Sequence, residues 1–187
     1  SWKKEKQALW VRTSGGTLFS QPYDIGSVHV MFGSELAIEN NKSFAVTQQP
    51  DIAEFDVEAT RREIILRSSC FSVTVNKKAG YISLLDKSGK LLLKEWPEKA
   101  RMNVHGDSVS TYCRFQLQDE EALYGLGQFR DNLMNLRNAK RELVQFNTQA
   151  AVPVIYSTGK WGLFWDNPSR TIYADNNAGM SFVSDYG

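Results

Sequence analysis

The feature that most constrains this chain is a two-residue alternation of apolar and polar side chains, in short runs broken by turn residues. Phe71-Ser72-Val73-Thr74-Val75-Asn76 is the clearest run. On an extended backbone Phe71, Val73 and Val75 share one face and Ser72, Thr74 and Asn76 the other, whereas a helix would scatter them around its circumference. Lys77-Lys78-Ala79-Gly80 leads into a second run, Tyr81 to Asp86, so a hairpin is predicted with Gly80 free to take a positive φ. Asp86-Lys87-Ser88-Gly89 makes the next turn, its Asp accepting a local backbone hydrogen bond before Lys90-Leu91-Leu92-Leu93 returns.

The same pattern extends in both directions. Leu9 to Thr13, Val28 to Phe32 and Glu63 to Arg67 read as strands upstream, punctuated by Gly15-Gly16 and Gly33-Ser34. Tyr112 to Leu117, Val152 to Ser157, Gly162 to Trp165 and Thr171 to Ala174 continue it downstream. Turn signals at spacings of about 8 to 12 residues predict an all-β fold, an antiparallel β-sandwich, over residues 1–187 as a single domain. Phe129 to Leu143 has a plausible helical period but many Asn and Arg residues, and is predicted to be an irregular loop. Trp161, Leu163 and Trp165 would share one face and Gly162, Phe164 and Asp166 the other, so this segment is expected to be buried on both sides. Met180 to Gly187 alternates like a strand with nothing after it to pair, either a terminal edge strand or a strand continued in a longer polypeptide.

Charge excludes the obvious polyanion partners. The 187 residues carry 22 Lys and Arg against 21 Asp and Glu, too even a balance to draw the protein onto nucleic acid or an anionic membrane. No run approaches the roughly 20 apolar residues of a membrane-spanning helix. The start, Ser1-Trp2-Lys3-Lys4-Glu5-Lys6, lacks both an initiator Met and the apolar segment of a signal peptide. A removed signal would favour a periplasmic or extracellular location, and its absence a cytoplasmic one. Cys70 and Cys113 form no CxxC pair, and His29 and His105 stand alone, so no metal site or cofactor is expected. Two reduced, buried cysteines are expected, although a disulfide between them is compatible with an oxidising compartment.

Catalytic constellations are missing. Glycoside hydrolysis needs two carboxylates about 5 to 10 Å apart, and acyl transfer needs a nucleophile, a base and an orienting group. Asp131, Asp166, Asp175 and Asp185 are scattered among turns and strand ends, where Asp satisfies local backbone groups. Tyr124-Gly125-Leu126-Gly127-Gln128 lacks the third Gly of a dinucleotide turn and the Lys of a P-loop. Its glycines are read instead as a tight turn, or a close backbone approach, between β elements.

Three blocks between Leu123 and Asn167 carry a family resemblance. Tyr124 to Gln128 resembles a YGLGQ or YGFGE turn, Gln145-Phe146-Asn147-Thr148-Gln149 with Pro153 resembles a loop before a Pro-led strand, and Tyr156 to Asn167 resembles an S-x-x-G-Y-G-hhWDN strand pair with Trp161 in place of Tyr. In this order and spacing they are similar to the N-terminal domain of glycoside hydrolase family 31, the retaining α-glucosidases and α-xylosidases. The resemblance implies a galactose-mutarotase-like supersandwich packed beside a catalytic TIM barrel that lies C-terminal to residue 187 and supplies both catalytic carboxylates. It places no catalytic residue in this chain. It implies that Phe146, Asn147, Thr148 and Gln149 form a loop lining the substrate pocket, with Gln149 where the family usually has an acidic residue; the alternative is a plain connection between strands. A bacterial α-xylosidase-like parent is expected first and an α-glucosidase second, with an α-xyloside or α-glucoside as the carbohydrate partner.

Two rivals belong to other classes. A free-standing carbohydrate-binding module would need an exposed aromatic platform, for which Trp2, Trp10 and Trp96 are candidates. An aldose mutarotase would need a His general acid, from His29 or His105, facing a carboxylate base.

Overall fold

The computed structural model describes residues 1–48, 50–97, 101–105 and 108–186, and the side chains of residues 102–105 and 108 lie outside the description. The chain forms two compact units.

The first unit, Ser1–Leu91 with a short following segment, contains two antiparallel meanders. Strands β1 (Trp2–Glu5), β2 (Ala8–Thr13), β3 (Gly16–Tyr23) and β4 (Ser27–Gly33) pair in sequence order, and helix α1 (Glu35–Asn40) follows. Strands β5 (Phe55–Ala59), β6 (Glu63–Ser68), β7 (Phe71–Asn76) and β8 (Ile82–Asp86) form a second meander. Their apolar faces meet in one core: Leu9, Val11 and Leu18 pack with Phe55, Ile64, Leu66, Phe71, Val73 and Val75. This is a sandwich built from alternating residues. The β7 alternation is present as predicted, and Gly80 takes φ 73°. The first sheet is covered on its other face as well, where Ala8, Trp10 and Phe19 pack with Ile38 of α1. Ser34 caps that helix by accepting the Ala37 N–H at 3.1 Å. Six residues are too few for a helical period to register in a sequence, which is why α1 is not among the predicted elements.

The second unit, Leu92–Trp96 with residues from 101 onward, is antiparallel too, with a larger and a smaller group of paired strands. Its larger sheet uses β9 (Leu91–Glu95), β10 (Met102–His105) and β11 (Ser108–Gln116). Between these and the sheet's later strands the chain forms β12 (Leu123–Gln128), β13 (Lys140–Leu143), β14 (Ala150–Ser157) and β15 (Trp161–Phe164). Strands β16 (Thr171–Asn176) and β17 (Gly179–Ser184) complete the larger sheet in the order β13-β16-β17-β11-β9, and β12-β14-β15 form the smaller one. Trp165 links them, its ring stacked on Phe182 at 5.2 Å and its indole N–H donating to Ser184 Oγ at 2.8 Å.

Several expectations are corrected. The last run is not an edge strand: β17 pairs with both β16 and β11, because sheet partners are recruited from distant parts of the chain. Within the predicted loop 129–143, Lys140–Leu143 is a strand paired with β16. Tyr124 to Gln128 is not a turn but most of β12, broken by a bulge between Gly125 and Gly127. Phe164 is exposed, so β15 is buried on one face only. Both cysteines are free thiols, but Cys70 is exposed and only Cys113 is buried. Trp10, a candidate for a sugar platform, is core.

Candidate functional site

The four residues implicated by resemblance occupy one tight turn between β13 and β14. Gln149 N–H donates to the Phe146 carbonyl at 3.2 Å and the two residues form an isolated bridge, leaving Asn147 and Thr148 at the tip. The adjacent Gln145 holds the turn closed: its amide donates to the Gln149 carbonyl at 3.1 Å and its Oε1 accepts from Ala151 N–H at 3.3 Å. Phe146 is 55% exposed, Asn147 and Thr148 are exposed, and Gln149 is half-buried. Among the described residues no partner engages the side chains of Asn147, Thr148 or Gln149. Their amides and hydroxyl offer donors and acceptors of the kind that match sugar hydroxyls, beside one exposed aromatic ring.

The loop that precedes β13 and this turn is held by ion pairs, and sequence reading missed them. Arg141, on β13, is buried; it donates from Nε and Nη2 to the Asp131 carboxylate at 2.8 Å each and to the Gly125 and Leu133 carbonyls. Its guanidinium also lies over the Phe129 ring at 4.5 Å. The hydrogen bond from Arg141 holds the Asp131 carboxyl below its ordinary range. Arg137 donates to the buried Asp175 at 2.9 Å and to the Gln118 and Glu121 carbonyls, and Asn138 N–H donates to the same carboxylate at 2.8 Å. Asp185 faces Arg170. Thus three of the four aspartates considered for catalysis hold loops and strands in place, and Asp166 is exposed. The many Arg and Asn residues of 129–139, which argued against a helix, were the available signal for a hydrogen-bonded loop.

Among the described residues the remaining candidates do not converge. His29 lies on β4 edge-on to Phe19 at 6.2 Å, and the side chain of His105 lies outside the described residues. Cys113 donates to Glu95 Oε1 at 3.3 Å, and burial first, then the Glu95 charge, pushes its thiol pKa well up. Glu95 also pairs with Arg101. Among the described residues no group of three or more His, Cys, Asp or Glu side chains is placed to hold a metal, and no helix is long and apolar enough to cross a membrane.

Comparison with known proteins gives a consistent set of relatives. The family model of the glycosyl hydrolase 31 N-terminal galactose mutarotase-like domain matches residues 18–173. An uncharacterized family 31 glucosidase of Pseudescherichia vulneris is 24% identical over 193 residues, 90% of this chain and 34% of that protein. An α-xylosidase of Saccharolobus solfataricus is 27% identical over 148 residues, 74% of this chain and 20% of its own length. Among solved structures, the GH31 α-xylosidase from Xanthomonas citri superposes with a TM-score of 0.79 at 30% identity, covering 91% of this chain and 19% of that one. A GH31 α-xylosidase from a soil metagenome, complexed with xylose, gives 0.83 at 21% identity over 99% of this chain and 32% of its own, a likeness of fold. The chain therefore spans between 19% and 34% of the length of these relatives.

Proposed function

The chain belongs to the glycosyl hydrolase 31 N-terminal galactose mutarotase-like domain family, and from that premise we propose that it is the non-catalytic N-terminal domain of a retaining α-glycoside hydrolase. In this reading the single β domain of residues 1–187 packs on a catalytic TIM barrel supplied by the same polypeptide. The turn Phe146–Gln149 reaches the substrate pocket, where Asn147, Thr148 and Gln149 bond sugar hydroxyls and Phe146 presents a ring to a sugar face. The observation that carries the proposal is the match over residues 18–173 in a chain that covers only 19% to 34% of its relatives. Neither catalytic carboxylate lies in these residues, which accords with Asp131, Asp175 and Asp185 each being held by an arginine.

An α-xyloside is proposed as the substrate ahead of an α-glucoside. The support is that relatives on both the sequence and the structural side bear the name α-xylosidase, including the one at 30% identity. The test begins with the mass of the native gene product. A product several times the 21.2 kDa of this chain that hydrolyses aryl α-xylosides faster than aryl α-glucosides is the expected outcome. A product near 21.2 kDa would overturn the reading and favour a free-standing carbohydrate-binding module. A large product preferring α-glucosides would overturn the xyloside preference alone.

A further inference from the structure

The smaller sheet of the second unit has an outer face that breaks the rule its neighbours obey. An antiparallel sheet with one buried and one wet face alternates apolar with polar residues. The β5 to β8 meander does so: opposite its core it carries Asp56, Glu58, Arg67, Ser72, Thr74 and Ser83, with Ile65 and Leu85 as exceptions. On β12-β14-β15 the inner face holds Leu123, Ile155, Trp161 and Leu163, as expected. The outer face, however, presents Tyr124 directly opposite Tyr156, and Val154 directly opposite Phe164, with Val152 on the same side of β14. Tyr156 is 60% exposed, Phe164 41%, and Tyr124 and Val152 are exposed too. None of these five residues is charged.

The face is also shaped locally. Tyr156 pairs with Gly162, and a Cβ at Gly162 would come within 3.3 Å of the Tyr156 ring. A side chain there would crowd that ring by a few tenths of an ångström, so Gly162 leaves it room to lie close to the sheet. An apolar, uncharged sheet face of this kind marks an interaction surface.

We propose that the outer face of β12-β14-β15, centred on Tyr156 and Phe164, is the surface on which the catalytic remainder of the same polypeptide docks. The proposal rests on the reading of the chain as part of a longer hydrolase and names the surface involved. The occupant follows from length: relatives that match nearly the whole chain devote only 19% to 34% of their residues to the matched part, so well over half of each polypeptide is available to cover it. Tethering on one chain keeps the local concentration of the partner high, so a modest apolar patch suffices without charge steering. The facing surface is accordingly apolar, and the contact is insensitive to salt because no charge pair needs screening. The two-sided apolar pattern of Trp161 to Trp165, which leaves Phe164 exposed in this chain, is then satisfied in the complete protein.

The test uses the full-length gene product with a photoreactive p-benzoylphenylalanine at Tyr156, and the same probe at the exposed Leu36 of α1 as control. Intramolecular cross-links from position 156 to residues beyond 187, unaffected by 1 M salt and lacking from position 36, are the expected result. Failure of position 156 to link beyond residue 187, links only to a second copy of the protein, or suppression of the links by added xylo-oligosaccharide would each overturn the docking surface. A Tyr156→Lys, Phe164→Lys double variant gives an independent measure: it is expected to split one thermal transition into two, and an unchanged single transition would count against the proposal. A gene product no longer than this chain would instead remove the reading beneath it, so the two failures are distinguishable.

Discussion

At the scale of single residues, environment rather than residue type decides chemistry, and the two cysteines show it. Cys70 is exposed in a turn between strands, whereas Cys113 is buried against Glu95 with its thiol pKa pushed up. A thiolate is the reactive form, so one thiol is expected to react with an aromatic disulfide reagent in the folded protein and the second only after denaturation; two fast thiols would contradict this placement. Trp161 offers a second case. Its indole N–H is buried with no hydrogen-bond partner among the described residues, and an unsatisfied buried donor costs about 1–3 kcal/mol. Replacing it by Phe removes that cost along with some apolar area, so Trp161→Phe is expected to change stability by less than about 1 kcal/mol, against about 3 kcal/mol or more for Trp161→Ala. Chemical denaturation checks both. The aspartates could be found in the sequence, but their arginine partners could not: Asp175 and Arg137 are 38 residues apart, and a contact of that separation exists only once the strands have paired.

At the scale of elements, the bulge in β12 explains the two glycines of the Tyr124 to Gln128 block. Gly125 and Gly127 take φ 121° and 94°, and Leu126 between them takes 61° with its side chain fully buried. A Cβ at Gly127 would lie 1.9 Å from the Ala150 carbonyl oxygen, and one at Gly125 2.4 Å from that of Val154. The expected close backbone approach is therefore real, though it occurs within a sheet and not in a turn. Gly127→Ala is expected to cost at least about 2 kcal/mol from the backbone conformation and the clash together, read as a lowered denaturation midpoint. The turn that follows β13 makes a different prediction, resting on the proposed function. In the full-length enzyme, Asn147→Ala with Thr148→Ala is expected to lower kcat/KM by roughly tenfold, about 1.4 kcal/mol of lost hydrogen bonding, while leaving the thermal midpoint in place. An unchanged kcat/KM would reduce the turn to a connection between strands.

At the scale of the whole molecule, near-neutral charge and an uncovered apolar face act together. With a formal charge of +1 at pH 7 and an isoelectric point near 7.7, the separate chain has little repulsion to oppose association. Its solubility is expected to pass through a minimum near pH 7.7 by light scattering, and Tyr156→Lys with Phe164→Lys should raise that minimum; no change would argue that the face is not sticky. The all-β class, most strand positions, the β7 to β8 hairpin and the family blocks between Leu123 and Asn167 were legible in the sequence, because alternation and turn chemistry are local and need only neighbouring residues to express them. Tertiary structure alone decided that β17 lies inside a sheet, that Arg141 and Arg137 hold the loop before the candidate turn, and that Phe164 faces outward. Each depends on pairing or burial between residues far apart in the chain, and the order of residues along a strand does not specify which strand lies beside it or what covers its outer face.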